Sequence, residues 1–228
     1  MRAVAIVLAA GSLMVGGALL SSVRAAAPAT PEAPPPETLK SAADFVSIKD
    51  PAARSVALFT EAGKVIGSPR CMNCHPVQRA PTQGDDRHAH NPPMVGGQSG
   101  HGPVGMPCAS CHGPANVPTW GQDIKSIPGD PKWALAPAEM AWQGKSLGAI
   151  CAQIKDPARN GGRGLAELHH HMAEDHLVGW AWSPGAGRKP APGTQAAFGE
   201  LVQAWIDTGA KCPKASRPTA TSPRAAWS

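Results

Sequence analysis

The amino-acid sequence predicts a mainly α-helical protein with extensive coil, and three observations support this fold class. Apolar residues recur at helical spacing in four segments, three of which follow a residue that can cap a helix. No segment shows the apolar–polar alternation that is typical of a half-buried strand. Glycine and proline are abundant, with 25 of each in 228 residues, which favours long irregular connections.

The first helix is predicted to begin after Asp50, with Pro51 in its first turn and an end near Gly67 and Pro69. Its apolar stripe is formed by Val56, Phe59 and Ala62. The stretch from Pro76 to Pro107 is polar and turn-forming, and it shows neither a helical nor a strand period.

Three further helices are predicted in the second half of the chain. The first follows Ser146 and ends at Pro157, with an apolar face of Leu147, Ile150, Cys151 and Ile154. The second carries Leu165, Leu168 and Met172 on one face. The third follows Thr194 and ends at Gly209, with a face of Phe198, Leu201, Val202 and Trp205.

Composition divides the chain into four parts. Residues 1–25 resemble a secretory signal peptide, because Arg2 precedes a long apolar run and small residues follow it. Residues 26–37 form an Ala/Pro-rich linker, 38–213 a single domain, and 214–228 a disordered tail. We therefore expect an exported, periplasmic protein, which would be membrane-anchored only if the N-terminal segment stays uncleaved.

Two pentapeptides of the form Cys-x-x-Cys-His carry most of the chemical information: Cys71-Met-Asn-Cys-His75 and Cys108-Ala-Ser-Cys-His112. This composition would produce one such match about 0.006 times by chance. The pattern is typical of covalent c-type haem attachment, in which two thiols add to the porphyrin vinyl groups and the histidine ligates the iron. The alternatives are structural zinc and a dithiol redox site.

The motifs predict two covalently bound haem c groups. Cys71, Cys74, Cys108 and Cys111 would form the thioethers. His75 and His112 would be the proximal iron ligands. Because so many glycines and prolines weaken a protein core, we expect the haems to serve as the core and the tryptophans to pack on the porphyrins: Trp120, Trp133, Trp142, Trp180, Trp182, Trp205 and Trp227.

Cys151 and Cys212 remain after the haems take four thiols. In an oxidising compartment two such cysteines usually pair, so a disulfide is predicted, with a buried free Cys151 as the alternative. Closing a loop of this length would stabilise the fold by roughly 4 kcal/mol in the chain-entropy model.

The second axial ligands would come from the remaining histidines or from methionines. His90 is preferred over His88 in the loop after the first motif. In the run His169–His171, successive residues lie about 100° apart on a helix. This spacing turns His170 away from the apolar face and leaves His169 and His171 as candidate ligands. A surface or divalent-metal cluster is the alternative for this run. The methionines are Met94, Met106, Met140 and Met172.

Several longer segments resemble a family of small di-haem proteins known as isoquinoline 1-oxidoreductase subunits. These segments are Cys-Met-Asn-Cys-His-Pro at 71–76, His171-Met-Ala at 171–173, and the ranges 82–86, 142–147, 155–163 and 177–185. The resemblance spans about residues 69 to 213, and it favours His171 and His90 as distal ligands. It implies a cytochrome that serves a molybdenum hydroxylase. Ala134 departs from the family, where a histidine is expected.

The expected function is to carry single electrons from a periplasmic or membrane dehydrogenase, such as a molybdenum hydroxylase large subunit, to a downstream cytochrome or oxidase. We expect no catalytic activity from this chain alone, because the sequence shows no molybdopterin, flavin or nicotinamide signature. The alternatives are a small di-haem subunit of a periplasmic nitrate reductase, and a haem enzyme or sensor with an open iron site. The charge of +5 would be offset by haem propionates, so no nucleic-acid partner is expected.

Overall fold

The computed structural model describes residues 37–118 and 126–215. The predicted signal peptide, nearly all of the predicted linker and tail, and both Trp120 and Trp227 lie outside the described residues. None of the helices within the described ranges is long and apolar enough to cross a membrane.

The described chain is mainly helical, as the sequence predicts. Its α-helices are α1 (Pro51–Ile66), α2 (Pro69–Met72), α3 (Leu147–Lys155), α4 (Leu165–Glu174), α5 (His176–Gly179) and α6 (Gln195–Asp207). Short 3-10 turns lie at Ala42–Phe45, Cys108–Ser110, Ala138–Met140 and Trp180–Trp182. Two strands, β1 (Thr82–Gln83) and β2 (His88–Ala89), pair antiparallel within the stretch predicted to be irregular. The sequence does not reveal these strands, because two residues are too few to show an apolar–polar alternation.

The four helices predicted from apolar spacing are confirmed, and their starts follow the expected capping chemistry. The side chains of Asp50, Ser146 and Thr194 accept hydrogen bonds from backbone N–H groups three residues on, at 2.9, 3.3 and 3.1 Å. After α6, Gly209 has a φ of +98°, a conformation that glycine adopts without steric cost.

The core lies where α1 and α4 pack against α6. Its largest fully buried side chains include Trp205, Phe59, Leu58, Ile66, Ile150, Ile154 and Leu201. The rings of Phe59 and Trp205 lie 4.8 Å apart, and the Trp205 Nε1 donates to the Lys211 carbonyl at 2.9 Å. The chain supplies an apolar core of its own despite its many glycines and prolines, because these helices bury their apolar faces against each other.

The remaining two cysteines meet at the edge of this core. Cys151 in α3 is fully buried, and its sulfur lies 2.02 Å from that of Cys212, at disulfide-bonding distance. This pair joins α3 to the segment that follows α6. The four motif cysteines are free thiols.

Candidate functional site

The first motif begins shortly after α1, one of the helices that form the core. Helix α2 starts directly after α1 and carries Cys71, and the following turn brings Cys74 back with a backbone hydrogen bond of 3.1 Å to the Cys71 carbonyl. The next residue, His75, donates its backbone N–H to the Met72 carbonyl at 3.4 Å. This single turn places both thiols and the imidazole within one short, helix-anchored segment.

His75 is held by two groups from the loop before α3. Its Nδ1 lies 2.6 Å from the Met140 carbonyl oxygen, and its ring stacks on Trp142 with centroids 3.5 Å apart and an interplanar angle of 8°. A carbonyl oxygen can only accept, so Nδ1 carries the proton and Nε2 keeps a free lone pair. Burial, together with the nearby His171, lowers the pKa of His75 to about 4, whereas the Met140 bond opposes that shift.

The second motif repeats this arrangement on a loop. Cys108 begins a 3-10 turn, and its carbonyl accepts backbone hydrogen bonds from Cys111 at 3.1 Å and His112 at 2.9 Å. The His112 Nδ1 lies 2.7 Å from the Pro128 carbonyl oxygen, and the ring stacks on Trp133 with centroids 4.7 Å apart. Burial is the main cause of the lowered pKa of His112.

In the structure, the His90 ring lies beside the His112 ring. The two ring centroids lie 5.9 Å apart, and the His90 Nδ1 lies 2.7 Å from the Pro92 carbonyl, so its Nε2 is also the unprotonated nitrogen. Two imidazoles that bind one metal from opposite sides stand about 6 Å apart, given metal–nitrogen bonds of about 2 Å. The separation of His90 and His112 suits that arrangement.

His171 lies on the His75 side of the molecule. Its charge contributes to the lowered pKa of His75, and its own Nδ1 lies 3.5 Å from the Asp175 Oδ2. Burial lowers the pKa of His171, and Asp175 opposes this effect. An open cavity of about 460 Å³ borders His171 and is also lined by Arg163 and Glu167.

The other candidate ligands are placed less favourably. His170 is exposed and its Nδ1 pairs with Glu174 at 3.0 Å. His88 uses both ring nitrogens, on Asp86 at 2.6 Å and on Gln83 at 3.1 Å. His169 is partly buried in α4. Met172 is a core residue, and Met106 is half exposed.

The motif thiols differ in exposure, and the two motifs adjoin. Burial raises the pKa of the Cys71 thiol to about 12 and that of Cys74 to about 11. The segment Leu135–Ala136 joins the two motifs, because the Ala136 N–H donates to the Cys74 carbonyl at 3.1 Å and the Leu135 N–H donates at 2.9 Å to the Gly100 carbonyl, which lies 4.0 Å from the Cys108 sulfur. Cys111 is exposed.

Several residues that shape the sites are not predicted from the sequence. The carbonyls of Met140 and Pro128 orient the imidazoles, although Met140 was considered only for its sulfur. Trp142 and Trp133 stack on histidines, whereas Trp182 packs on Phe198. No local pattern could have found the carbonyls, because any residue supplies one.

The donor set at each motif fits a haem c: two free thiols, a proximal imidazole with its Nε2 available, and a second histidine nearby. Within residues 37–118 and 126–215, no group of three or more His, Cys, Asp or Glu side chains gathers as a metal site would require. Axial coordination of a haem iron needs only two side chains, so that finding does not bear on a haem.

No family model, curated protein or solved structure matches this chain.

Proposed function

We propose that this chain is a di-haem c-type cytochrome that carries single electrons. Its haems would be attached through Cys71 and Cys74 at the first site and through Cys108 and Cys111 at the second. The haems and their ligands would organise the loops, while the helices around α6 supply a core of their own.

The observation that carries this proposal is the pairing of histidines. His112 and His90 lie 5.9 Å apart with both Nδ1 atoms turned to backbone carbonyls. At the first motif, His75 has the same carbonyl-bound Nδ1 and lies near His171. A ligand on each face of an iron leaves no position for substrate, which favours electron transfer over catalysis.

A bound haem would supply one-electron oxidation and reduction at its iron. The protein's residues have distinct parts in supporting that chemistry. The Met140 and Pro128 carbonyls hold the proximal rings in one tautomer and orientation, which raises the basicity of the free nitrogens. Trp142 covers one face of the His75 ring and, being buried, restricts water there.

The partner and the compartment follow from sequence features. We infer export to the periplasm, delivery of electrons from a molybdenum hydroxylase or another dehydrogenase, and transfer to a downstream cytochrome or oxidase. The chain alone would not be an enzyme. The alternative is that this chain is itself the small di-haem subunit of a periplasmic nitrate reductase, and an open iron site would support an enzyme or sensor instead.

Haem content is the first test. Protein matured in a strain that assembles c-type cytochromes should gain the mass of two haems and give the pyridine haemochrome spectrum of thioether-linked haem, because both motifs are complete. One haem per chain would contradict the di-haem assignment, and bound zinc with no iron would contradict the whole proposal.

Axial coordination is the second test. His171→Ala and His90→Ala should each convert one low-spin haem to a high-spin or water-ligated form in optical and resonance Raman spectra. His170→Ala is the matched control and should leave the spectra unchanged, since its side chain points to solvent. If His169→Ala changes the spectrum and His171→Ala does not, the distal assignment at the first site is wrong.

Partner activity is the third test. The oxidised holoprotein should turn over neither isoquinoline nor an aldehyde, yet should be reduced when a molybdenum hydroxylase subunit and its substrate are added. Substrate turnover by this chain alone, with haem as its sole metal centre, would overturn the carrier assignment.

A further inference from the structure

Arg70 is a deeply buried charged residue at the start of the first motif. Only 4% of its surface is exposed, and it immediately precedes Cys71. One terminal nitrogen donates to Asp85 at 2.5 Å and to the Gly84 carbonyl at 3.0 Å. The Nε atom is buried and has no hydrogen-bond partner among the described residues. A buried N–H group normally has a partner, so this donor is free for an acceptor.

A second arginine comes to the same place through Asp85, which pairs with Arg70 at 2.5 Å and accepts from the backbone N–H of Lys189, the residue after Arg188, at 3.2 Å. Arg188 is partly buried, and its terminal nitrogens donate to the Ser126 Oγ and carbonyl, at 2.5 and 2.7 Å, and to the Pro184 carbonyl at 3.2 Å. Burial and the neighbouring charge of Arg70 both lower the pKa of Arg188. These neutral acceptors orient the Arg188 charge without cancelling it.

Carboxylate is scarce around these two arginines. Asp85 is the one carboxylate that pairs with Arg70 in the described part of the chain, and its side chain is 47% exposed. It also accepts from the Lys189 backbone N–H at 3.2 Å. The pair Arg70–Arg188 therefore carries an excess positive charge in a partly buried place, where an anion would be bound strongly.

The position of this excess charge relates it to both motifs. Arg70 adjoins Cys71, and its guanidinium lies 6.0 Å from the centre of the Trp180 ring. Trp180 meets Trp133 edge-on at 5.0 Å, and Trp133 stacks on the His112 ring. Arg70 thus lies beside the first motif and is connected to the second through two tryptophans.

We propose that Arg70 and Arg188 form a carboxylate-binding site for a haem propionate, with the Arg70 Nε as a direct donor. The inference rests on the proposed function, since a haem is the carboxylate-bearing group that these motifs would attach. Arg79 differs, because its Nε and both terminal nitrogens already donate to the carbonyls of Gly97 and Ala136. Its donors have carbonyl partners, whereas the Arg70 Nε does not.

The test measures the reduction potentials of the holoprotein by spectroelectrochemistry. Arg70→Gln and Arg188→Gln each remove a positive charge, so the oxidised iron becomes more stable and the potential of one haem should fall. We expect about a tenfold shift in the ratio of oxidised to reduced haem, equivalent to about 59 mV for a one-electron couple. Arg70→Lys keeps the charge and should shift the potential less.

A pH profile separates a propionate contact from a structural role. Without the guanidinium, the propionate should bind protons at a higher pH, so the potential of the Gln variants should vary more with pH near neutrality than that of the unaltered protein. Arg87→Gln is the matched control, because it removes the same charge from an exposed position two residues after Asp85. That variant should retain the original potential and profile.

Two outcomes are distinguishable. If the unaltered protein contains no covalent haem, the proposed function fails before any variant is compared. If it contains two haems but Arg70→Gln and Arg188→Gln match Arg87→Gln in potential and pH profile, the propionate site is wrong. Should Arg70→Gln fail to mature, the Arg188→Gln and Arg70→Lys measurements decide.

Discussion

The two motif sites use the same chemistry on different supports. The first site follows α1, its His75 ring is stacked at 3.5 Å on the buried Trp142, and both of its thiols are only partly exposed. The second site is built on loops, with His112 stacked at 4.7 Å on a partly exposed Trp133 and with Cys111 exposed. The difference indicates that identical local motifs receive their rigidity and exposure from what packs around them.

This contrast suggests a division of labour between the sites. An exposed site exchanges electrons with a partner more readily, whereas a shielded site is better protected from solvent. If the proposed function holds, the second site would be the point of contact with partners. The following variants are designed to break or sharpen that contrast, in order of decreasing expected effect.

Trp142→Ala should have the largest effect. It removes a 5%-exposed side chain from the first site, and loss of a buried Trp costs about 3–5 kcal/mol. The matched variant Trp133→Ala should cost less, because that ring is partly exposed. Thermal melting followed by circular dichroism checks this order. Equal losses for the two variants would remove the distinction between a core-supported and a loop-supported site.

Removal of the Cys151–Cys212 pair should lower stability by about 2–4 kcal/mol without changing either haem spectrum, since it joins α3 to the segment after α6. The double variant Cys151→Ser, Cys212→Ser is compared with the unaltered protein by denaturant titration. A change in the optical spectrum of either haem would show that the helical region and the sites are not separable.

Asn116 and Ser55 provide a smaller, paired comparison. Asn116 holds the second site, because its Oδ1 accepts from Trp180 Nε1 at 2.9 Å and from the Gly129 N–H at 3.0 Å. Ser55 lies in the core, where its Oγ donates to the Trp205 carbonyl at 3.1 Å.

Each Ala variant should cost about 1–3 kcal/mol through the groups left unpaired. Hydrogen exchange should increase around the second site for Asn116→Ala and in α1 and α6 for Ser55→Ala. The comparison fails if both variants loosen the same region.

The smallest predicted effect concerns thiol reactivity in the haem-free chain. Because burial raises the pKa of Cys71 to about 12 and of Cys74 to about 11, iodoacetamide should modify both thiols slowly at pH 8. The exposed Cys111 should react before either. The raised thiol pKa values also mean that the folded chain loses stability as pH rises above about 8.5, where unfolded thiols ionise first. Mass spectrometry of time-quenched samples gives the order.

Local chemistry explains which features could be predicted. The starts of α1, α3 and α6 were predictable because Asp50, Ser146 and Thr194 cap a helix through contacts three residues away. The β1–β2 hairpin is not predicted because its two-residue strands are too short to show an apolar–polar alternation. The contact of Trp205 with Phe59 is not predicted because it joins residues far apart in the chain, which apolar periodicity does not report.

The features of the candidate sites also divide into those that the local sequence specifies and those that depend on tertiary contacts. The sequence by itself determined the two Cys-x-x-Cys-His motifs, on which the proposed attachment residues and proximal histidines depend, and the four main helices, because each is specified by neighbours within one or two turns. Only the tertiary structure decided which carbonyl holds each imidazole, that His90 lies beside His112, and that Asp85 links Arg70 to the segment carrying Arg188. Those relations join residues far apart in the chain, and folding alone brings them within hydrogen-bonding and electrostatic range.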